Sequence, residues 1–358
     1  MKKICIICET LSFGGIERVI SILSDKLSSE YQLYVLTTIG QDVKYSLNQN
    51  VKILHLKNNS NNKIVNFYHR IGNLNKIINE ERFDLCIAFG YKVGMSLVIA
   101  SKVLKSSAKI ILTERTDPDS YCNSIIKKVR DILFRKSDMF ICQTEFVKDY
   151  YSKRGVKKLV VIPNPIKEGL PNPYDGERKK VIVNFCRLNE QKNLPLLIDA
   201  FEQVYKIHND FKLVIYGEGS LKDFLLNYIS NKNLSDVIEI HDFISNIHEV
   251  INDCFMFVSS SNFEGISNSM LEALALGLPC VCTDCPVGGA SLAIEDKING
   301  ILVPIKDCNA LTNAMKDIIE NDALRNNISK NAVNVRERFR PGNISNMWKE
   351  IIERVFAD

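Results

Sequence analysis

The sequence predicts an α/β protein built from two doubly wound parallel-sheet domains, and three observations carry that prediction. Short β-branched runs alternate with longer helical stretches through both halves of the chain. Its 358 residues exceed what one hydrophobic core ordinarily supports. Between the halves, Pro163-Asn164-Pro165, Gly169, Pro171-Asn172-Pro173 and Gly176 gather turn-forming residues in one short stretch. The expected division is therefore 1–168 and 169–340, each a Rossmann-like domain.

In the first half the runs Lys3 to Cys8, Gln32 to Thr37, Val51 to Leu56, Asp84 to Phe89, Lys109 to Thr113, Met139 to Cys142 and Leu159 to Ile162 read as strands. The second half repeats the rhythm with Lys180 to Phe185, Lys212 to Tyr216, Val237 to Ile240, Cys254 to Val258, Cys280 to Thr283 and Ile301 to Val303. Residues 57–63 read as a polar loop. After Arg340-Pro341-Gly342, the residues Ile344, Met347, Trp348, Ile351, Ile352 and Val355 recur at helical spacing. That last helix, about 341–358, is expected to return across both domains and pack on the first.

Composition narrows the class. A chain that is 46% hydrophobic and 25% charged, with a mean hydropathy of -0.05, is that of a globular protein, and no apolar run is long enough to span a bilayer. The eleven cysteines sit in apolar runs and no secretory leader is apparent, which points to a reducing cytoplasm. Two Cys-x-x-Cys pairs occur, Cys5/Cys8 and Cys282/Cys285. Strand positions three apart face opposite sides of a sheet, and neither pair has a closely spaced partner pair, so zinc is not expected.

The net charge of +4 is uneven, because residues 100–160 hold fourteen Lys or Arg against seven Asp or Glu. Within that stretch Ile125, Ile126, Val129, Ile132 and Leu133 recur at helical spacing between Lys127, Lys128, Arg130, Arg135 and Lys136. One reading is a basic amphipathic helix on an anionic membrane surface. The other, commoner by base rate, is a core-facing apolar stripe with a solvated basic back. Nucleic acid is not expected as a partner, since the pI of 8.4 is modest and no nucleic-acid-binding module pattern is present.

In open parallel sheets ligands bind at the carboxyl ends of the strands, and the informative residues follow strands here. After the first strand come Gly14 and Gly15, at the start of a helix. Arg187 and Lys192 share the loop after Phe185, a planar fork and a point charge suited to a diphosphate. Another glycine turn, Gly217-Glu218-Gly219, follows Tyr216. After the strand at Cys254 to Val258 comes Glu264-Gly265-Ile266-Ser267, opening a helix that carries Glu272 and stops at Gly277-Leu278-Pro279. Backbone N–H groups and the positive dipole end of that helix suit a diphosphate, with Glu264 placed for sugar hydroxyls and Glu272 for a ribose. Paired glutamates on a helix are ordinarily a solvated face, and glycine turns between strand and helix are ordinarily plain geometry.

Taken in chain order, Gly14-Gly15, Arg187 and Lys192, Gly217-Glu218-Gly219, and Glu264 with Glu272 resemble the retaining glycosyltransferases of family 4, which have the GT-B fold. The likeness covers nearly the whole chain and extends to Pro163-Asn164-Pro165, Gly277-Leu278-Pro279 and Asn299-Gly300-Ile301-Leu302-Val303. It implies two Rossmann-like domains with a cleft between them, the first binding acceptor and the second binding a nucleotide-sugar. It also implies that Arg187 and Lys192 hold the diphosphate and neutralise the leaving group, with Glu264 on donor-sugar hydroxyls, Glu272 on the ribose, and Gly14-Gly15 on the amino-domain side. One departure stands out. Where many members carry a histidine after the strand ending at Thr113, this chain places Arg115, and Glu114 with Arg115 is expected at a strand end on the acceptor or sugar side. Asp117-Pro118-Asp119 mimics a metal-binding Asp-x-Asp but reads as a turn, and the cationic pair supplies positive charge, so no metal is expected and no cofactor beyond the co-substrate.

The expected activity is transfer of a hexose or N-acetylhexosamine, with retention, from a nucleotide-sugar, by family habit a UDP-sugar, to a glycan or polyprenyl-linked acceptor in polysaccharide or glycolipid assembly. The expected location is the cytoplasm, at the inner face of the cell membrane, with the basic stretch 100–160 as the contact. A GT-B sugar-nucleotide epimerase and a non-catalytic nucleotide-sugar-binding protein are the alternatives. A dinucleotide-dependent dehydrogenase lacks its glycine fingerprint here.

Overall fold

The computed structural model describes residues 1–12, 14–40, 43, 47–56, 63–120 and 123–358, and of Lys63 and Ile64 the backbone alone. The polar loop expected at 57–63 falls almost wholly outside the described residues. In chain order the elements are β1 (Lys3–Cys8), α1 (Gly15–Leu27), β2 (Gln32–Thr37), β3 (Lys52–His55), α2 (Lys63–Glu81), β4 (Leu85–Phe89), α3 (Tyr91–Val98), β5 (Lys109–Thr113), α4 (Ser124–Phe134), β6 (Met139–Cys142), α5 (Glu145–Ser152) and β7 (Leu159–Val161). Then follow β8 (Lys179–Phe185), α6 (Leu194–Tyr205), β9 (Lys212–Tyr216), α7 (Lys222–Asn231), β10 (Ile238–His241), α8 (Ile247–Ile251), β11 (Cys254–Ser259), α9 (Asn268–Ala275), β12 (Cys280–Thr283), α10 (Gly289–Ala293), β13 (Ile301–Val303), α11 (Cys308–Glu320), α12 (Asp322–Ala332), α13 (Val335–Arg338) and α14 (Pro341–Ala357). The chain divides into two compact units, Met1–Pro165 with Pro341–Asp358, and Ile166–Arg340.

Every strand pairing is parallel. The first unit holds the order β3-β2-β1-β4-β5-β6-β7 and the second β10-β9-β8-β11-β12-β13. In each, the winding reverses beside the first strand of the unit, between β1 and β4 and between β8 and β11. In open parallel sheets ligands bind outside the carboxyl ends of the two strands at such a reversal.

The burial pattern follows from covering both sheet faces with helices. In β1, Ile4, Ile6 and Cys8 join one core while Cys5 and Ile7, of opposite parity, are equally buried. In the second unit Val281 packs with Ile182, Leu213, Ile215 and Met256, whereas its neighbours Cys280 and Cys282 pack with Leu271 and Leu274 of α9. These cysteines act as small apolar residues, and burial pushes the Cys280 and Cys282 thiols well above the ordinary thiol range.

The last helix belongs to the first unit. Ile344, Trp348, Ile352 and Val355 of α14 enter the core that Ile4, Ile6, Leu33 and Ile87 form. Trp348 is fully buried and stacks on Phe89, ring centroids 5.6 Å apart. At the rim Lys349 pairs with Glu30 at 2.7 Å and Lys158 with Asp358 at 2.7 Å, surface pairs that contribute little beside the aromatic burial. Trp348→Ala should lower the unfolding free energy by about 3–5 kcal/mol, with Trp348→Phe costing much less. Urea denaturation followed by far-UV circular dichroism measures both, and an alanine variant as stable as the parent would show that α14 does not complete this core.

Candidate active site

The second unit brings the loops after β8 and β11 together, because those two strands are hydrogen-bonded neighbours. After Phe185 the backbone runs out to Arg187, makes one 3-10 turn over Glu190–Lys192, and reverses through Asn193 in the left-handed region (φ 45°) before α6 begins with Pro195 in its first turn. After Ser259 the second loop carries Ser261, Asn262 and Glu264. Asn262 donates its backbone N–H to the Gln191 carbonyl at 2.9 Å, and Asn193 Nδ2 reaches Asn262 Oδ1 at 3.0 Å. Ser260 Oγ donates to the carbonyls of Lys192 and Asn193. The two loops are thus laced into one unit of structure.

At the centre of that lacing Lys192 Nζ meets Glu264 Oε2 at 2.5 Å, with both side chains largely buried. The same oxygen accepts from Gln191 Nε2 at 3.2 Å and from Ser261 Oγ at 3.3 Å. Burial alone would push the Lys192 ammonium pKa down, but the Glu264 charge and its hydrogen bond more than offset that, holding it above the ordinary lysine value. Arg187 lies close enough for its charge to oppose that of Lys192, yet its side chain is exposed and makes no ion pair among the described residues. Cys186 sits beside them, its thiol pushed up to about 12 by burial and therefore protonated.

The glycine turn serves this loop sterically. A Cβ on Gly217 would lie 1.8 Å from the Cys186 carbonyl oxygen, and one on Gly219 would lie 2.2 Å from that of Leu188. Leu188 N donates to the Glu218 carbonyl at 2.8 Å, so the turn at 217–219 holds the backbone on either side of Arg187. Gly265 has a similar neighbour, since a Cβ on Gly289 would come within 1.7 Å of its carbonyl oxygen. Next to it Ile266 and Ser267 are buried, and Ser267 caps α9 by accepting the Met270 N–H at 3.4 Å. The helix ends with Gly277 at φ 70°, where Leu278 N–H bonds the Ala273 carbonyl and Gly277 N–H that of Leu274.

Glu272 is not on a solvated face. It is 1% exposed, and its Oε2 lies 2.6 Å from Nε2 of His248 on α8, itself buried against Phe185. The paired acids therefore have separate partners, Glu264 holding Lys192 and Glu272 holding His248. Gln191, Ser261 and His248 escaped the sequence reading. Gln191 adjoins Lys192 and Ser261 lies three residues before Glu264, so both were findable by position, whereas His248 comes from another element with no signal of its own.

In the first unit Gly14 and Gly15 open α1 after β1, with Gly14 extended (φ 177°), beside a loop in which Thr10 Oγ1 donates to Glu17 Oε1 at 3.0 Å. Phe13 lies outside the described residues. Glu114 and Arg115 follow β5, and both are buried. Arg115 is 6% exposed and turned against Phe89 and Trp348, 5.3 Å from each ring, with Nη1 donating to the Ile162 carbonyl and to Asn164 Oδ1 at 3.2 Å. The cause is the aromatic pair under α14, which offers a guanidinium flat faces and excludes water. Burial pushes its pKa down to about 10. Glu114 turns the other way, accepting from Tyr151 OH at 3.1 Å and Thr116 Oγ1 at 3.0 Å, and burial raises its pKa against the lowering pull of Arg130. Asp117-Pro118-Asp119 forms a turn, with Asp117 Oδ1 accepting the Asp119 N–H at 2.8 Å.

Comparison with known proteins gives the family. The family described as "Glycosyltransferase Family 4" matches residues 13–169 and "Glycosyl transferases group 1" matches residues 172–335. The chain belongs to the GT4-type glycosyltransferases, and its two parallel sheets are the Rossmann-like domains of the GT-B fold. It is 27% identical over 342 residues, 91% of this chain and 92% of the relative, to the N-acetylgalactosamine-N,N'-diacetylbacillosaminyl-diphospho-undecaprenol 4-alpha-N-acetylgalactosaminyltransferase of Campylobacter jejuni. A second protein of that organism, the GalNAc-alpha-(1->4)-GalNAc-alpha-(1->3)-diNAcBac-PP-undecaprenol alpha-1,4-N-acetyl-D-galactosaminyltransferase, is 23% identical over 99% of both chains. Among solved structures, Anabaena HepE in complex with UDP superposes with a TM-score of 0.81 at 19% identity, covering 99% of this chain and 100% of that one.

A lysine whose pKa is raised by folding binds its proton more tightly in the folded than in the unfolded chain. The Lys192–Glu264 pair therefore stabilises the fold fully at pH below the ordinary lysine value of about 10.4, and the contribution is lost as pH rises through the folded value. The stability difference between wild type and Lys192→Met, from urea midpoints, should be level between pH 7 and 9 and shrink above about pH 10.4. A difference that stays constant or grows through that range would contradict the pairing.

Proposed function

We propose that this glycosyltransferase moves a hexose or N-acetylhexosamine, with retention of anomeric configuration and without a metal, from a UDP-sugar to a glycan or polyprenyl-linked acceptor in polysaccharide or glycolipid assembly. The observation that carries the donor half is the Lys192–Glu264 pair at the adjoining carboxyl ends of β8 and β11, with Arg187 exposed beside it. The UDP complex of the HepE structure supports the choice of base. The diphospho-undecaprenol substrates in the names of the two Campylobacter relatives support a lipid-linked acceptor. Such an acceptor puts the enzyme in the cytoplasm, at the inner face of the cell membrane.

Breaking the bond between the anomeric carbon and the diphosphate oxygen leaves negative charge on the diphosphate and oxocarbenium character on the sugar. Arg187 and Lys192 stabilise the first of these, and they do so more in the transition state than in the ground state, because the charge is then largest. Glu264 has two roles in this reading. It fixes the Lys192 ammonium in place and keeps it protonated, and it accepts hydrogen bonds from donor-sugar hydroxyls. Glu272 takes the ribose, with Gly265, Ile266 and Ser267 before α9 on the diphosphate and Gly217 holding the Arg187 loop. In the first unit, this reading assigns Gly14 and Gly15 at the start of α1 to the donor and the strand end at Glu114 and Arg115 to the acceptor. The acceptor hydroxyl forms the new bond to the anomeric carbon on the face the diphosphate leaves, and its proton passes to the departing phosphate oxygen.

Arg187→Ala and Lys192→Ala should each lower kcat by about a hundredfold, roughly 3 kcal/mol in barrier, with the fold intact by circular dichroism. The assay follows labelled sugar from UDP-sugars into short polyprenyl-diphosphate glycans and reads the anomeric configuration of the product. Wild-type protein that isomerises a UDP-sugar without acceptor, or binds donors with no turnover on any acceptor, would replace this reading with an epimerase or a binding protein.

A further inference from the structure

α4 is folded with its polar side in and its apolar side out. Arg130 is 1% exposed, its Nε and Nη2 donating to Asp131 Oδ1 at 3.0 and 2.9 Å, its Nη1 to the Pro118 carbonyl at 2.6 Å, and its Nη2 also to Tyr150 OH at 3.0 Å. The guanidinium lies 5.2 Å from the Tyr151 ring, and Asp131 is held from its other side by Arg154 Nε at 3.2 Å. With Phe134 also buried, Arg130 and Asp131 fix which face of the helix turns inward. The aliphatic residues are forced to the opposite face. Ile125, Val129 and Ile132, one row at i, i+4 and i+7, are 75%, 44% and 55% exposed, and Ile126 on the flank is 40% exposed. The core-facing stripe, the commoner reading of this sequence, is thereby excluded.

We infer that this face of α4 docks on an anionic lipid surface. Isolated surface aliphatics mean little, but a continuous row on one helix marks an interface, and its charge selects the partner. Lys128, Arg135 and Lys136 are exposed around the row, and Lys128 and Lys136 make no ion pair among the described residues. The helix has one acid, Asp131, and it is buried between two arginines. An apolar strip edged by cations with no free acid matches phospholipid headgroups above an acyl layer. A two-fold pairing with a second copy would instead bring like-charged rims together without an acid to answer them. At eleven residues the helix lies in the interface rather than crossing it. The inference deepens the lipid-linked-acceptor reading and rests on it for its biological sense, while the surface geometry involves none of the donor residues.

The test is co-sedimentation of the full chain with vesicles of phosphatidylcholine alone and of phosphatidylcholine with phosphatidylglycerol. Wild type should bind the anionic vesicles in a salt-sensitive way, and Ile125→Ser/Val129→Ser/Ile132→Ser should weaken that binding roughly tenfold or more. Lys128→Glu/Lys136→Glu should remove the preference for phosphatidylglycerol. Both variants should melt like the parent and transfer sugar to a short water-soluble acceptor at the parental rate. Wild type that ignores anionic vesicles, variants that bind as well as the parent, or a dimer in solution that the serine variant abolishes would each overturn the inference. An Arg187→Ala protein that binds vesicles while wild type transfers no sugar to any acceptor would leave this inference standing and end the transferase reading.

Discussion

The proposed donor site depends on one charge pair. Lys192 and Glu264 lie far apart in sequence and meet because β8 and β11 are neighbours where the sheet reverses its winding. A largely buried ammonium needs an answering charge, and a largely buried carboxylate needs donors; each supplies the other, with Gln191 and Ser261 completing the carboxylate's shell. The pair fixes the register of the two loops and leaves Arg187 at the surface with charge to spare. In the proposed reading this fixed positive charge is what the diphosphate of the donor meets.

The glycines around the pair show the same economy of space. Gly217, Gly219 and Gly289 each sit where a Cβ would run into a backbone carbonyl, so the loop after β9 can approach that after β8, and the start of α10 can approach Gly265, only because these side chains are missing. Their contribution is to bring peptide groups into contact around Arg187 and at the entrance to α9.

Much of this was legible in the sequence. Strand runs such as Gln32–Thr37, Lys109–Thr113 and Cys280–Thr283 were plain because strands buried on both faces are continuous apolar runs, and the Gly277 stop of α9 because only a left-handed position ends a helix that way. The residues that depend on distant partners were not legible. Arg130 takes its place from Pro118, Tyr150 and Tyr151, and it turns α4 inside out against its own apolar pattern. Arg115 is drawn inward by Phe89 and by Trp348, the latter more than two hundred residues away in sequence. Glu272 resembles a surface glutamate until His248 is seen beside it. In each case periodicity registers the chain's own spacing, whereas the outcome is set by a charge or ring from another element.

The central claim is that the loops after β8 and β11 form the diphosphate site of the donor. Calorimetric titration of UDP into the wild-type chain and into an Arg187→Ala/Lys192→Met variant, each verified as folded, tests it most directly. Binding by wild type with affinity reduced at least about a hundredfold in the variant, some 3 kcal/mol for two lost charged contacts, is the predicted result. Equal affinity in the two proteins would contradict the account.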